Sequence, residues 1–162
     1  MTGRPPPSVP PTLSIIVPTY RDGSRIHGNL GKLDKALATI GEPYEIIVVS
    51  DGNVDNTYEE ARRLDAPHVR AYHYARNMGK GFALRYGVAR SRGQIVTFID
   101  GDGDIDPAQI ALYLRIMRTS AADIVVGSQE ASRLCGGLPA ATTALQCNLS
   151  GVAAAALPFR GA

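Results

Sequence analysis

Between Leu13 and Gly127, short and almost wholly apolar runs alternate with longer segments of helical period. Leu13 to Val17 (ended by Pro18), Tyr44 to Val49, Val69 to Tyr74, Ile95 to Ile99 and Ile124 to Val126 read as buried strands. Ile26, Leu30, Leu33, Leu37 and Ile40 recur at three- and four-residue steps, the stripe of an amphipathic helix. A second helix is expected near Asp55, whose carboxylate can cap the amides that follow. A third runs over Phe82 to Ala89, after the turn Gly79-Lys80-Gly81. The fourth is opened by Asp106-Pro107, with Pro107 at its first position, and bears Ile110, Leu114 and Met117. Strands that are apolar on both faces and separated by helices predict an α/β fold, with a mostly parallel sheet covered by helices on both sides.

The 162 residues suit one such domain, and a net charge of +2 gives no reason to expect nucleic acid as a partner. No apolar run approaches the roughly 18 residues needed to span a bilayer. Residues 1–12 (MTGRPPPSVPPT) lack the apolar core of a signal peptide, and their prolines predict a flexible lead-in. Cys135 and Cys147 are too few for a disulfide framework or a four-ligand zinc site, so a reduced, cytoplasmic setting is the default expectation.

In open parallel sheets, ligands bind beyond the carboxyl ends of the strands. The unusual polar residues gather there, at Thr19 to Asp22, Ser50 to Asp55, Arg76 to Gly81 and Asp100 to Asp106. The acidic run is the sharpest of these. Asp100 and Asp102 offer hard oxygen ligands for Mg²⁺ or Mn²⁺, and Gly101 between them would let a diphosphate approach the backbone. A solvated turn is the bland alternative. An EF-hand is excluded, because its sixth and twelfth positions hold Ile105 and Ala111 where Gly and Glu are required. Arg76 and Lys80 flank amides at a glycine-rich helix start, an arrangement suited to an anion, although the segment is not a P-loop. Tyr20 could stack on a base or simply pack, and Asp22 and Asp51 could accept hydrogen bonds from a base or ribose. Asp55 reads as a helix cap, and His27, His68 and His73 as structural or surface residues.

Together these elements resemble family 2 glycosyltransferases of the GT-A fold, above all the polyprenyl-phosphate (dolichyl-phosphate) mannose and glucose synthases. PTYRDGSRI is similar to the family's opening PTYNE segment, VVSDGNVDNT to its VVDDGSxDGT turn, and RNMGKGFALRYG to its NxGKGxAxxxG loop. FIDGDGDIDP is similar to the DxD loop and IVVGSQ to the strand after it. Arg21 stands where Asn is usual, Ser50 replaces the first of two paired aspartates, and Gly101 stands where Ala is frequent. The resemblance implies an inverting transfer of a hexose from GDP-mannose or UDP-glucose to a polyprenyl phosphate or another glycan acceptor. It implies a divalent cation on Asp100 and Asp102, and donor contacts from Pro18, Tyr20, Asp22, Asp51, Arg76, Lys80, Asp100 and Gly101. With such an acceptor, peripheral contact with the cytoplasmic face of a membrane is expected. Two rival readings are a nonenzymatic remnant that binds sugar nucleotide or metal, and a nucleotidyltransferase. The latter needs a glycine-rich basic loop after the first strand, which Pro18 to Asp22 does not provide.

The resemblance covers residues 13–128, and then the character of the chain changes. Residues 129–162 are rich in Ala and Gly, carry only Glu130, Arg133 and Arg160 as charges, and show neither helical nor strand period. The family should continue with a basic acceptor-side segment and more sheet. A one-base shift of reading frame permits Ser-Lys-Arg-His-Pro from Ser128 and Tyr-Pro-Pro-Leu-Arg-Arg-Leu-Tyr-Ser from Leu138, strings similar to that continuation. The tail is thus expected to be frameshifted, truncated or a natural flexible extension. An incomplete sheet and impaired transfer are the expected consequences.

Overall fold

The computed structural model describes residues 9–52, 54–128, 146–147 and 153–157. The chain divides into two compact units, residues 1–107 and 108–162. In the first, β1 (Leu13–Thr19), α1 (Ile26–Ala38), β2 (Tyr44–Asp51), α2 (Thr57–Arg62), β3 (Val69–Tyr74), α3 (Lys80–Val88) and β4 (Ile95–Phe98) follow one another. The four strands form one sheet in the order β3-β2-β1-β4, and every pairing is parallel. All four carboxyl ends therefore share an edge.

β1 and β2 are the central strands, and seven of the eight residues of β2 are buried. Their two faces meet different helices. Ile16, Ile47 and Val49 pack with Ala83 of α3, bordered by Tyr72, Tyr74, Leu84 and Tyr86. On the opposite face, Val17 shares a small cavity with Ile26, Leu30 and Leu33 of α1. The predicted stripe is thus correct from Ile26 to Leu37, while Ile40 lies beyond the helix.

Gly87 marks the closest approach of α3 to the sheet. Helix propensity alone would favour Gly87→Ala by about 1 kcal/mol. A Cβ there would overlap Ile16 Cγ2 and crowd Val49 Cγ2, so overpacking decides the sign. We expect Gly87→Ala to lower stability by about 1–3 kcal/mol, measured by urea unfolding.

Pro18 does not end β1, which continues to Thr19. Ile16 accepts the Ile99 amide, so the bonds of Ile16 face β4, and the missing N–H of Pro18 falls on that same side. There β4 has already ended at Phe98, and no ladder bond is lost. β2 likewise takes in Ser50 and Asp51, which the sequence assigned to a turn.

The second unit holds α4 (Gln109–Ser120) and strands β5 (Ile124–Ser128), β6 (Gln146–Cys147) and β7 (Ala153–Leu157). Pro107 is not the first residue of α4; the helix begins at Gln109, after a turn at Pro107 and Ala108. The expectation that β5 would join the parallel sheet is also corrected, because β5 pairs antiparallel with β7 in a separate three-stranded sheet. Ala153–Leu157 has little β propensity and no period, yet pairing along all of β5 makes it a strand. The frame, truncation and flexibility readings of the tail, like the lead-in of residues 1–8, Asn53 and the cysteine side chains, otherwise lie outside the described residues.

Candidate functional site at the carboxyl edge of the sheet

The loops leaving β1, β2, β3 and β4 are stitched together at the edge where the polar clusters were expected. Asp51, buried at the end of β2, accepts the Met78 amide through Oδ1 at 2.7 Å. The adjacent Gly52 has φ +82°, and a Cβ there would lie 3.0 Å from the Asn77 amide nitrogen. Two residues on, Lys80 Nζ lies 2.7 Å from Oδ1 and 2.8 Å from Oδ2 of Asp100. The Asn77–Lys80 segment therefore ties the exit of β2 to the exit of β4.

The acidic loop is in turn fixed against β1 and α1. Asn29 donates its side-chain amide to the Gly101 carbonyl at 2.9 Å. Packing gives Gly101 a role of its own. Its missing Cβ would lie 2.5 Å from Thr19 Cγ2 and 3.2 Å from Ile26 Cδ1, so the loop could not seat with a larger residue unless these shifted. Asp102 is partly exposed, and its Oδ1 accepts the Asp104 amide at 3.1 Å. Asn29 escaped the sequence reading, although its signal was present: it sits three residues after Ile26, on the flank of the buried stripe.

The β1 exit is held by different bonds. The Asp22 amide donates to Thr57 Oγ1 at 2.9 Å, and the Asp22 carbonyl accepts the amides of Arg25 and Ile26. The Asp22 carboxylate takes Arg25 at 2.9 Å and the Tyr20 amide at 3.3 Å, so it serves its own loop in this state. Asp55 caps the first amide of α2 from one residue before the N-cap Asn56, accepting the Thr57 amide at 3.0 Å, and also takes the Gly23 amide at 3.3 Å. Burial opposes its charge, but these hydrogen bonds, with Arg21 nearby, hold its pKa below the usual value.

Of the predicted donor contacts, Asp51, Lys80, Asp100 and Gly101 are thus brought into one connected group, and Asp102 adjoins it in the same turn. Tyr20 and Arg76 are exposed at the same edge, while the ring of Pro18 is buried within β1. The amides at the start of α3 are less open than expected: Met78 donates to Asp51 and Gly79 to Asn77 Oδ1. Among the described residues, only the Lys80 and Gly81 amides there lack an acceptor. Burial and the neighbouring Asp51 carboxylate raise the pKa of Tyr74, the register partner of Asp51, so it remains a neutral phenol. Among the described residues, the one histidine side chain with a hydrogen bond is that of His68, whose Nε2 lies 2.6 Å from Asp34 Oδ1, away from this edge and just before β3, while His73 packs on the ring of Tyr58.

Among the described residues, no three His, Cys, Asp or Glu side chains converge on one point, and no helix is long and apolar enough to cross a membrane. The Asp100 and Asp102 carboxylates nevertheless fit Mg²⁺ or Mn²⁺ as a donor set. Both are hard oxygen ligands with part of their surface open, and Mg²⁺ is usually held by one or two carboxylates with water and substrate phosphates completing the shell.

The model of glycosyl transferase family 2 matches residues 14–144, and so extends past Ser128. A dolichyl-phosphate beta-glucosyltransferase of Drosophila melanogaster is 36% identical over 114 residues, which is 62% of this chain and 35% of that protein. A dodecaprenyl-phosphate galacturonate synthase of Rhizobium johnstonii is 26% identical over 118 residues, 71% of this chain and 35% of that protein. The chain thus spans about a third of the length of these relatives. Among solved structures, S. aureus TarS 1-349 superposes with a TM-score of 0.56 at 23% identity, over 70% of this chain and 34% of that one. The mannosyltransferase PcManGT from Pyrobaculum calidifontis, in complex with GDP-Man and Mn²⁺, gives 0.51 at 24% identity, over 66% of this chain and 33% of that one. The fold is therefore GT-A, and with the family model matching most of its length the chain belongs to glycosyl transferase family 2.

Proposed function

We propose that this chain carries the donor-binding part of an inverting glycosyltransferase that moves a hexose from a nucleoside-diphosphate sugar, GDP-mannose or UDP-glucose, to a polyprenyl or dolichyl phosphate. The observation that carries this reading is the Asn77–Lys80 bridge, which sets a lysine on Asp100, two residues before Asp102, at a helix start with two open amides. Cations and amides suit a diphosphate, and the carboxylates suit the metal that would accompany it. Mg²⁺ or Mn²⁺ on Asp100 and Asp102 would neutralise charge on the departing nucleoside diphosphate. Asp51 keeps the 77–80 segment in place, and Tyr20 offers an exposed ring to the base. Attack from the face opposite the leaving group inverts the anomeric carbon. A lipid phosphate is already anionic at neutral pH, so positioning counts for more than a general base.

The acceptor class is supported by the named activities of the two relatives, both of which work on polyprenyl phosphates, though with different sugars. Such an acceptor implies peripheral contact with a membrane, at its cytoplasmic face. The test is calorimetric titration of the whole chain with GDP-mannose and UDP-glucose in Mg²⁺ or Mn²⁺, repeated after chelation with EDTA. One donor is expected to bind, and chelation to weaken it by about 100-fold or more, at least as much as the loss of one carboxylate ligand to the cation. If neither donor binds, or if EDTA changes nothing, the reading is wrong.

A further inference from the structure

Arg21 adopts φ +55°, a left-handed conformation that disfavours a side chain of its kind. Asn, the family's usual residue at this place, tolerates that conformation better than most. The loop is held on both sides of it, since the Tyr20 amide bonds the Asp22 carboxylate and the Asp22 and Gly23 amides are tied to Thr57 and Asp55. Arginine thus stands at a position that strains it, and strain retained at a binding edge calls for a compensating role. Its guanidinium supplies one, lying 5.1 Å from the centroid of the Tyr20 ring. Tyr20 is 41% exposed, and its amide is held by Asp22.

We propose that Arg21 is a positioning residue for a nucleobase: its guanidinium backs one face of Tyr20 and holds the ring as a platform on which the base of a nucleoside diphosphate stacks. The inference rests on the donor-binding reading above. An unsupported tyrosine at the surface samples several rotamers and loses that freedom when a base binds. The contact with Arg21 meets part of that cost before binding. A cation on an aromatic face contributes modestly at exposed sites and more once water is excluded, as it would be beneath a bound base.

The test compares wild type with Arg21→Asn, which relaxes the backbone and removes the cation, and Arg21→Lys, which keeps the charge but loses the planar stack. Calorimetric titrations with GDP and UDP in Mg²⁺ report the platform, and inorganic pyrophosphate, which has no base, reports the phosphate site alone. Arg21→Asn is expected to raise the melting temperature by about 3 °C as strain is released. It should nevertheless weaken the preferred nucleoside diphosphate by about tenfold. Arg21→Lys should fall between the two proteins, and pyrophosphate affinity should be unchanged throughout. A merely structural arginine would not combine higher stability with a loss confined to ligands that carry a base. Equal nucleoside diphosphate affinity in all three proteins, or a matching loss for pyrophosphate, overturns the role of Arg21 and leaves the donor-binding reading intact. Wild type that binds neither GDP nor UDP overturns both.

Discussion

Replacing Glu45 with Ala is expected to cost this fold about 3 kcal/mol or more, a large part of the 5–15 kcal/mol that holds a typical domain together. Glu45 lies at the amino-terminal end of β2, with no exposed surface. Its Oε2 takes Arg70 at 2.6 Å and Arg92 at 2.8 Å, while Oε1 takes Ser14 Oγ and the Arg92 amide, each at 2.7 Å. Ser14 Oγ accepts the Gly93 amide at 2.8 Å, which pins the turn before β4. Removing the carboxylate takes a partner from two arginines, the Arg92 amide and the Ser14 hydroxyl together. Breaking a buried ion pair typically costs about 3–5 kcal/mol; the low end applies here because Arg70 and Arg92 keep 21% and 31% of their surface in water.

The same cluster sets a pH dependence. Burial alone would raise the pKa of Glu45, but bonds from Ser14 and Arg92, with the charge of Arg70, more than offset it and leave it lowered. A depressed folded value means the unfolded chain takes up the proton first. The contribution of Glu45 is therefore complete above the unfolded pKa near 4.3, and is lost as pH falls through the lower folded value. Urea unfolding of wild type and Glu45→Gln should accordingly give free energies that converge below about pH 4 and separate above it. A constant gap across that range would show that the charge of Glu45 contributes nothing.

Glu45 also shows where reading the sequence stops. Strand and helix runs are local patterns, and the apolar stripe of α1 and the six residues of β3 were plain from period and composition alone. The Asp55 cap was legible for the same reason, since donor and acceptor lie two residues apart. The arginine partners of Glu45 lie 25 and 47 residues away, and nothing in an acidic residue at the head of a strand announces them. The sheet made by β5 and β7 was hidden in another way. Its second strand consists almost wholly of alanine, and only pairing with a β-prone partner sets its conformation.

At the candidate site, the topology carried most of the inference. Parallel strands put all their polar exits on one edge, so Asp51, Lys80 and Asp100 could be grouped before any contact was known. What the motif could not convey is which groups are already engaged. The Asp22 carboxylate, expected to face a base or ribose, is bonded to Arg25 and to the Tyr20 amide. Gly101, expected to make room for a phosphate, also makes room for Thr19 and Ile26.

Asp100→Asn is expected to abolish most metal-dependent donor binding, by about 100-fold, because a carboxylate ligand to a divalent cation is worth several kcal/mol. The Lys80–Asp100 pair gives that substitution a second consequence. Lys80 retains 56% of its side-chain surface and Asp100 33%, so the pair is a surface salt bridge worth at most about 1 kcal/mol. A divalent cation on Asp100 would therefore displace Lys80 at little cost and, on the proposed reading, free its ammonium for the donor's phosphates. In Asp100→Asn that ammonium is already free, so the weak binding that survives in EDTA should be no worse than in wild type. Asp102→Asn should show the metal-dependent loss without this relief, and Asn can still accept the Asp104 amide, so a loss there does not report a disordered loop. Lys80→Met should do the reverse, leaving Mn²⁺ binding intact while weakening the nucleoside diphosphate by about tenfold. Calorimetry of the three variants with and without Mn²⁺ separates these outcomes. Full metal-dependent affinity in both Asn variants would remove the cation from Asp100 and Asp102, and with it the present account of how a diphosphate is held at this edge.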